Sequence, residues 1–101
     1  MDVRRLTQAE IDEAVRALPG WTASGKALHK EFRFPTFREA WVFMLRVARE
    51  AEAMDHHPDW SNSYGTVVID LSTHKKGGIT SLDVDLARKI ERIHGDAEAA
   101  T

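Results

Sequence analysis

The longest helix-period segment of the chain, residues 36–54, is apolar over an arc too wide for one buried face, and this restricts the folds open to it. Phe37, Trp41, Met44, Ala48 and Ala51 recur on one stripe; Ala40, Phe43, Val47 and Met54 form a second. Thr36-Phe37-Arg38-Glu39 opens the segment as a capping box, in which the Thr hydroxyl and the Glu carboxylate each satisfy a backbone N–H. Such a helix needs cover on two sides, so it is expected to pack on a sheet of its own chain and on another copy of the protein. Its aromatic and methionine side chains read as packing surface, not as a cofactor site.

The remaining elements follow from the same periodicities. Thr7-Gln8-Ala9-Glu10 is another capping box, with Ile11, Ala14, Val15 and Leu18 at helical spacing before Pro19-Gly20. Trp21-Thr22-Ala23, a Ser24-Gly25 turn and a strand over residues 28–34 read as a hairpin. Leu28, Phe32 and Phe34 share one face of it, Lys30 interrupts that face, and Pro35 closes the strand. A second hairpin pairs residues 60–64 with 66–73 around Gly65, placing Val67, Ile69 and Leu71 on one side and Val68, Asp70 and Ser72 on the other. After Gly77-Gly78, Thr80 or Ser81 caps a last helix carrying Leu82, Leu86, Ile90 and Ile93, with Gly95 as its stop and residues 96–101 as a frayed tail. The expected fold is α+β: a four-stranded antiparallel sheet with three helices packed on one face, in the order α-β-β-α-β-β-α.

A chain of 101 residues allows one domain, spanning residues 1–101. Its 14 Lys and Arg against 16 Asp and Glu leave a net charge of −2, which gives nucleic acid phosphates no general attraction, so no nucleic acid partner is expected. There is no cysteine, no apolar run of signal length after Met1, and no stretch near the roughly 20 apolar residues of a membrane span. A cytoplasmic protein without membrane association is the expectation.

Chemistry concentrates in residues 52–83. His56-His57-Pro58 lies at the end of the long helix, where Pro58 disfavours helical geometry for the residue before it, and His74 lies at the end of the last strand. Histidine exchanges protons near neutral pH, so three imidazoles at one cleft suggest acid/base chemistry. Two histidines at a helix C-terminus are also what the dipole and the free carbonyls favour. Neither an HExxH motif nor a cysteine supports a metal site, no Ser sits in a G-x-S-x-G elbow, and Lys75-Lys76-Gly77-Gly78 is too short for a phosphate loop. His29 and His94 read as surface residues.

Glu52, His56-His57-Pro58, Tyr64, His74 and Asp83 fall in register with the motif of the pterin-4a-carbinolamine dehydratases, and Asp55, Trp60 and Leu71-Ser72-Thr73-His74 add to the match. The chain resembles that family from Leu6 to about Ile93. The resemblance implies a hydro-lyase that eliminates water from 4a-hydroxytetrahydropterin to give quinonoid dihydropterin, in tetrahydrobiopterin recycling beside an aromatic amino acid hydroxylase. It implies His56 and His74 as the acid/base pair, His57 as a catalytic residue that also holds the ring, and no metal or organic cofactor. It implies Glu52, Pro58, Thr73 and Asp83 as pterin-binding residues, with Pro58 fixing the bend and Asp83 orienting a histidine or binding the ring's polar edge. Leu82 departs from the pattern, since a basic residue is expected at that position in some relatives. The family also implies a homodimer or homotetramer. Two alternatives stand beside the enzyme: a non-catalytic dimerisation module for a partner protein, and a pterin-handling role in molybdenum cofactor metabolism.

Overall fold

Helix starts are set by the capping chemistry written into the sequence. In the computed structural model, which describes residues 3–99, α1 (Gln8–Arg16) begins at Thr7 with both halves of its box formed. The Thr7 hydroxyl accepts from Glu10 N–H at 3.2 Å, and the Glu10 carboxylate accepts from Thr7 N–H at 2.8 Å. At α2 (Phe37–Met54) the Thr36 hydroxyl accepts from Glu39 N–H at 3.1 Å. At α3 (Ser81–Ala99) it is Thr80 whose hydroxyl accepts from the helix, at 3.2 Å from Leu82 N–H.

Helix α3 does not stop at Gly95 but runs on to Ala99, so the expected tail is helical that far; residues 100 and 101 lie outside the described residues. Gly95 is not among the residues with positive φ, and Asp96-Ala97-Glu98-Ala99 offers no proline or left-handed turn to end the helix.

The strands β1 (Thr22–Ser24), β2 (Ala27–Arg33), β3 (Asp59–Ser63) and β4 (Thr66–Leu71) form one antiparallel sheet in the order β1-β2-β4-β3. This is the α+β arrangement α-β-β-α-β-β-α. Alternation decides which face is covered: Val67, Ile69 and Leu71 are buried, and Leu28 and Phe32 stand opposite Leu71 and Val67 on the same face. Ala40, Phe43, Val47 and Ala51 of α2 and Leu86, Ala87 and Ile90 of α3 complete that core, with Ile11, Ala14 and Val15 of α1 packed at its margin. The other face is polar, carrying His29 paired with Asp70 at 2.8 Å and Arg33 with Glu31 at 3.0 Å.

Lys30 lies on the inner face as expected, and two other features differ from expectation. Lys30 interrupts the inner face without leaving a bare charge, because its ammonium donates to the Pro19 carbonyl at 2.7 Å and to Glu91 at 2.8 Å. His94 is not a surface residue: it is half-buried, edge-on to Phe32 with ring centroids 5.0 Å apart. In α2, Ala51 joins the inner stripe, while Phe37 and Trp41 are 44% and 45% exposed and Leu45 is 60% exposed.

Glycine is required at the β3–β4 turn. A Cβ on Gly65 would lie 2.1 Å from the Phe34 carbonyl oxygen, and Phe34 N–H donates to the Gly65 carbonyl at 2.8 Å, so the turn is held against the end of β2.

Candidate active site

Sheet register brings the histidine segments together. Asp59 at the start of β3 pairs with Asp70 near the end of β4, so the residues entering β3 lie beside those leaving β4. His56, His57 and Pro58 therefore approach His74, which opens a 3-10 turn, His74–Lys76, just beyond β4.

The exit from α2 aims the first two histidines. Asp55 takes the left-handed conformation (φ 51°, ψ 42°), its N–H bonds back to the Glu52 carbonyl at 3.1 Å, and His56 N–H reaches the Ala51 carbonyl at 3.0 Å. This is the bond pattern of a Schellman end, with aspartate where glycine is commonest. The helix thus stops before Pro58 is reached, and successive imidazoles leave it in different surroundings: His56 is 8% exposed, whereas His57 is open to solvent.

The buried half of the site centres on Asp83, which is 0% exposed in the first turn of α3. Its Oδ1 lies 2.6 Å from His56 Nε2, and its Oδ2 accepts from the Thr73 hydroxyl at 2.8 Å and from Thr80 N–H at 2.9 Å. The Thr80 hydroxyl, 2.7 Å from that of Thr73, completes the set. Each group facing the carboxylate can donate, so Nε2 of His56 carries a proton toward Asp83, which in the neutral ring leaves the lone pair on Nδ1. No buried side-chain nitrogen or oxygen among the described residues lacks a partner.

The open half consists of two exposed pairs. His57 Nε2 is 2.8 Å from Glu52 Oε2, and His74 Nε2 is 2.9 Å from Asp59 Oδ2. Direct bonds thus join His56, Thr73 and Asp83 into one network and place Glu52 on His57, while Pro58, half-buried, makes none of these bonds and links His57 to Asp59 in the chain. Among the described residues, no group of three or more His, Cys, Asp and Glu side chains converges with metal-binding geometry.

Two participants escaped the sequence reading. Asp59 directly follows His56-His57-Pro58, and acidity next to the motif was its only signal. Thr80 was read as a helix cap alone, yet its hydroxyl also meets Thr73 and its N–H serves Asp83.

The chain matches the family model described as pterin 4 alpha carbinolamine dehydratase over residues 4–93. It is 51% identical over 89 residues to a protein of Opitutus terrae named as a candidate pterin-4-alpha-carbinolamine dehydratase, covering 87% of this chain and 92% of the relative. A crystal structure of a transcriptional coactivator/pterin dehydratase from Brucella melitensis superimposes with a TM-score of 0.87 at 43% identity, over 89% of this chain and 98% of that one. A pterin dehydratase-like protein identified as a RuBisCO assembly factor in the alpha-carboxysome shares the fold, with a TM-score of 0.65 at 23% identity over 75% of this chain and 90% of that one. With its motif residues gathered at one end of the sheet and the family model spanning most of its length, this chain belongs to the pterin 4 alpha carbinolamine dehydratase family.

Proposed function

We propose that this chain, acting as a single domain, dehydrates 4a-hydroxytetrahydropterin to quinonoid dihydropterin in tetrahydrobiopterin recycling beside an aromatic amino acid hydroxylase. The observation that carries the reading is the His56–Asp83 pair, a buried imidazole fixed at 2.6 Å by a fully buried carboxylate, with two solvent-facing imidazoles, His57 and His74, on the adjoining segments. In the elimination, a proton leaves N5 and the C4a–O bond breaks with its electron pair going to oxygen. The oxygen takes up a proton, water departs and an N5=C4a double bond forms. His56 and His74 form the acid/base pair, one imidazole accepting a proton while the other, protonated, donates one, so no net charge accumulates. His57 holds the ring, with Glu52 set to accept from the amino-pyrimidine edge.

Stopped-flow ultraviolet absorbance of the 4a-hydroxy compound, generated in place by a phenylalanine hydroxylase, tests this. The wild-type protein should accelerate its decay, and His57→Ala and His74→Ala should each slow turnover by about 10²-fold or more. Full activity in folded variants would end the mechanism.

A second reading, a partner-binding module, is favoured by the open face of α2, where Trp41, Val42 and Leu45 are 45%, 50% and 60% exposed. One solved relative is described as a coactivator. A folded wild-type protein with no effect on dehydration would support that reading instead.

A further inference from the structure

We infer that Asp59 is a positioning residue for the proposed dehydration, holding His74 in the orientation and tautomer that its proton transfer needs. The inference rests on the functional reading above and extends it to a residue outside the family motif identified in the sequence. Its first support is geometric. Asp59 Oδ2 lies 2.9 Å from His74 Nε2 across a sequence separation of 15, so the contact exists only because β3 and β4 pair. The carboxylate accepts from Nε2–H, which in the neutral ring leaves the lone pair on Nδ1, the same tautomer that Asp83 favours for His56. His74 is mostly exposed, its side chain 75% accessible, so packing does little to hold the ring and Asp59 is the polar contact that orients it.

The second support is energetic. Asp59 stands directly opposite Asp70 in the β3–β4 register, and like charges facing each other across a strand pair destabilise a sheet. A residue chosen only for sheet stability would not be aspartate there. Each carboxylate instead meets an imidazole, Asp70 with His29 at 2.8 Å and Asp59 with His74 at 2.9 Å. The cost of the acidic pair is explained if Asp59 serves His74.

The two supports give a test that separates positioning from a structural role. Asp59→Ala should leave the melting temperature unchanged or higher, because it removes the cross-strand repulsion. It should nevertheless lower kcat by roughly 10-fold to 100-fold, the usual cost of losing the group that orients a functional imidazole, with KM changed by less than about threefold. Asp70→Ala relieves the same repulsion without touching His74, and its kcat should stay within about twofold of wild type. In ¹⁵N spectra of the imidazoles, His74 should show a protonated Nε2 in the wild-type protein and a mixed tautomer population in Asp59→Ala. An active wild type with undiminished kcat in Asp59→Ala, an equal loss in Asp70→Ala, or an unchanged His74 signal would each overturn the assignment. A wild-type protein with no dehydratase activity would overturn the functional reading itself, and this role with it.

Discussion

A carboxylate without exposed surface needs donors for its oxygens, and Asp83 finds them in Thr73, Thr80 and His56. Asn at this position keeps the shape but exchanges one acceptor for an NH₂ group. Its remaining oxygen would stay on the side of the Thr73 hydroxyl and Thr80 N–H, since that N–H can only donate. The amide NH₂ would then face His56 Nε2 and force the proton onto Nδ1, the wrong tautomer for a base. Asp83→Asn should therefore cost about 1–3 kcal/mol of stability in urea unfolding and at least about 10²-fold in turnover, with the protein still folded. The identity of Asp83 as a site residue was readable from its register with the motif. Its partner was not, because His56 lies 27 residues away and only the tertiary fold closes that distance.

Elements were legible wherever local chemistry dictates them. The capping box at Thr7 formed as written, and it carries an addition that the sequence did not advertise: Arg4 reaches the Glu10 carboxylate with bonds of 2.8 and 2.7 Å. Chiefly through the hydrogen bond from Arg4, the Glu10 carboxyl is held down at about 2, against an ordinary 4.5. A carboxyl whose folded value is depressed adds stability that is fully present above about 4.5 and is lost as pH falls through about 2. The melting temperature of Glu10→Gln should accordingly lie below that of the wild type near neutral pH, and the gap should close as thermal scans descend toward about pH 2. The end of α3 was misread for a reason of the same kind. Gly95 can adopt the left-handed turn that stops a helix, but nothing beyond it requires the turn, so the helix continues. At α2 the converse holds: Asp55, not a glycine or Pro58, supplies the left-handed residue.

For the whole molecule, the wide apolar arc of α2 is divided between two environments. Ala40, Phe43, Val47 and Ala51 face the sheet and α3, whereas Phe37, Trp41, Val42 and Leu45 remain exposed in the single chain. An apolar surface of this kind is a binding surface on physical grounds, and the proposed occupant is a second copy of this chain, as a dimer or tetramer. Trp41→Glu should lower the mass measured by light scattering while leaving the circular dichroism spectrum of the fold intact; an unchanged assembly size would remove α2 from the interface. Among the described residues, no helix is long and apolar enough to cross a membrane.

The sequence by itself determined the order of elements, the helix starts, the inward face of β4 and the residues worth watching, because capping, alternation and turn chemistry act over a few residues. Only the tertiary structure decided which carboxylate each histidine meets: Asp83 for His56, Glu52 for His57 and Asp59 for His74. Glu52 is local to its histidine, but the other two pairings depend on strand register and on how α3 docks, and those are set by burial of the whole core rather than by any segment of the chain.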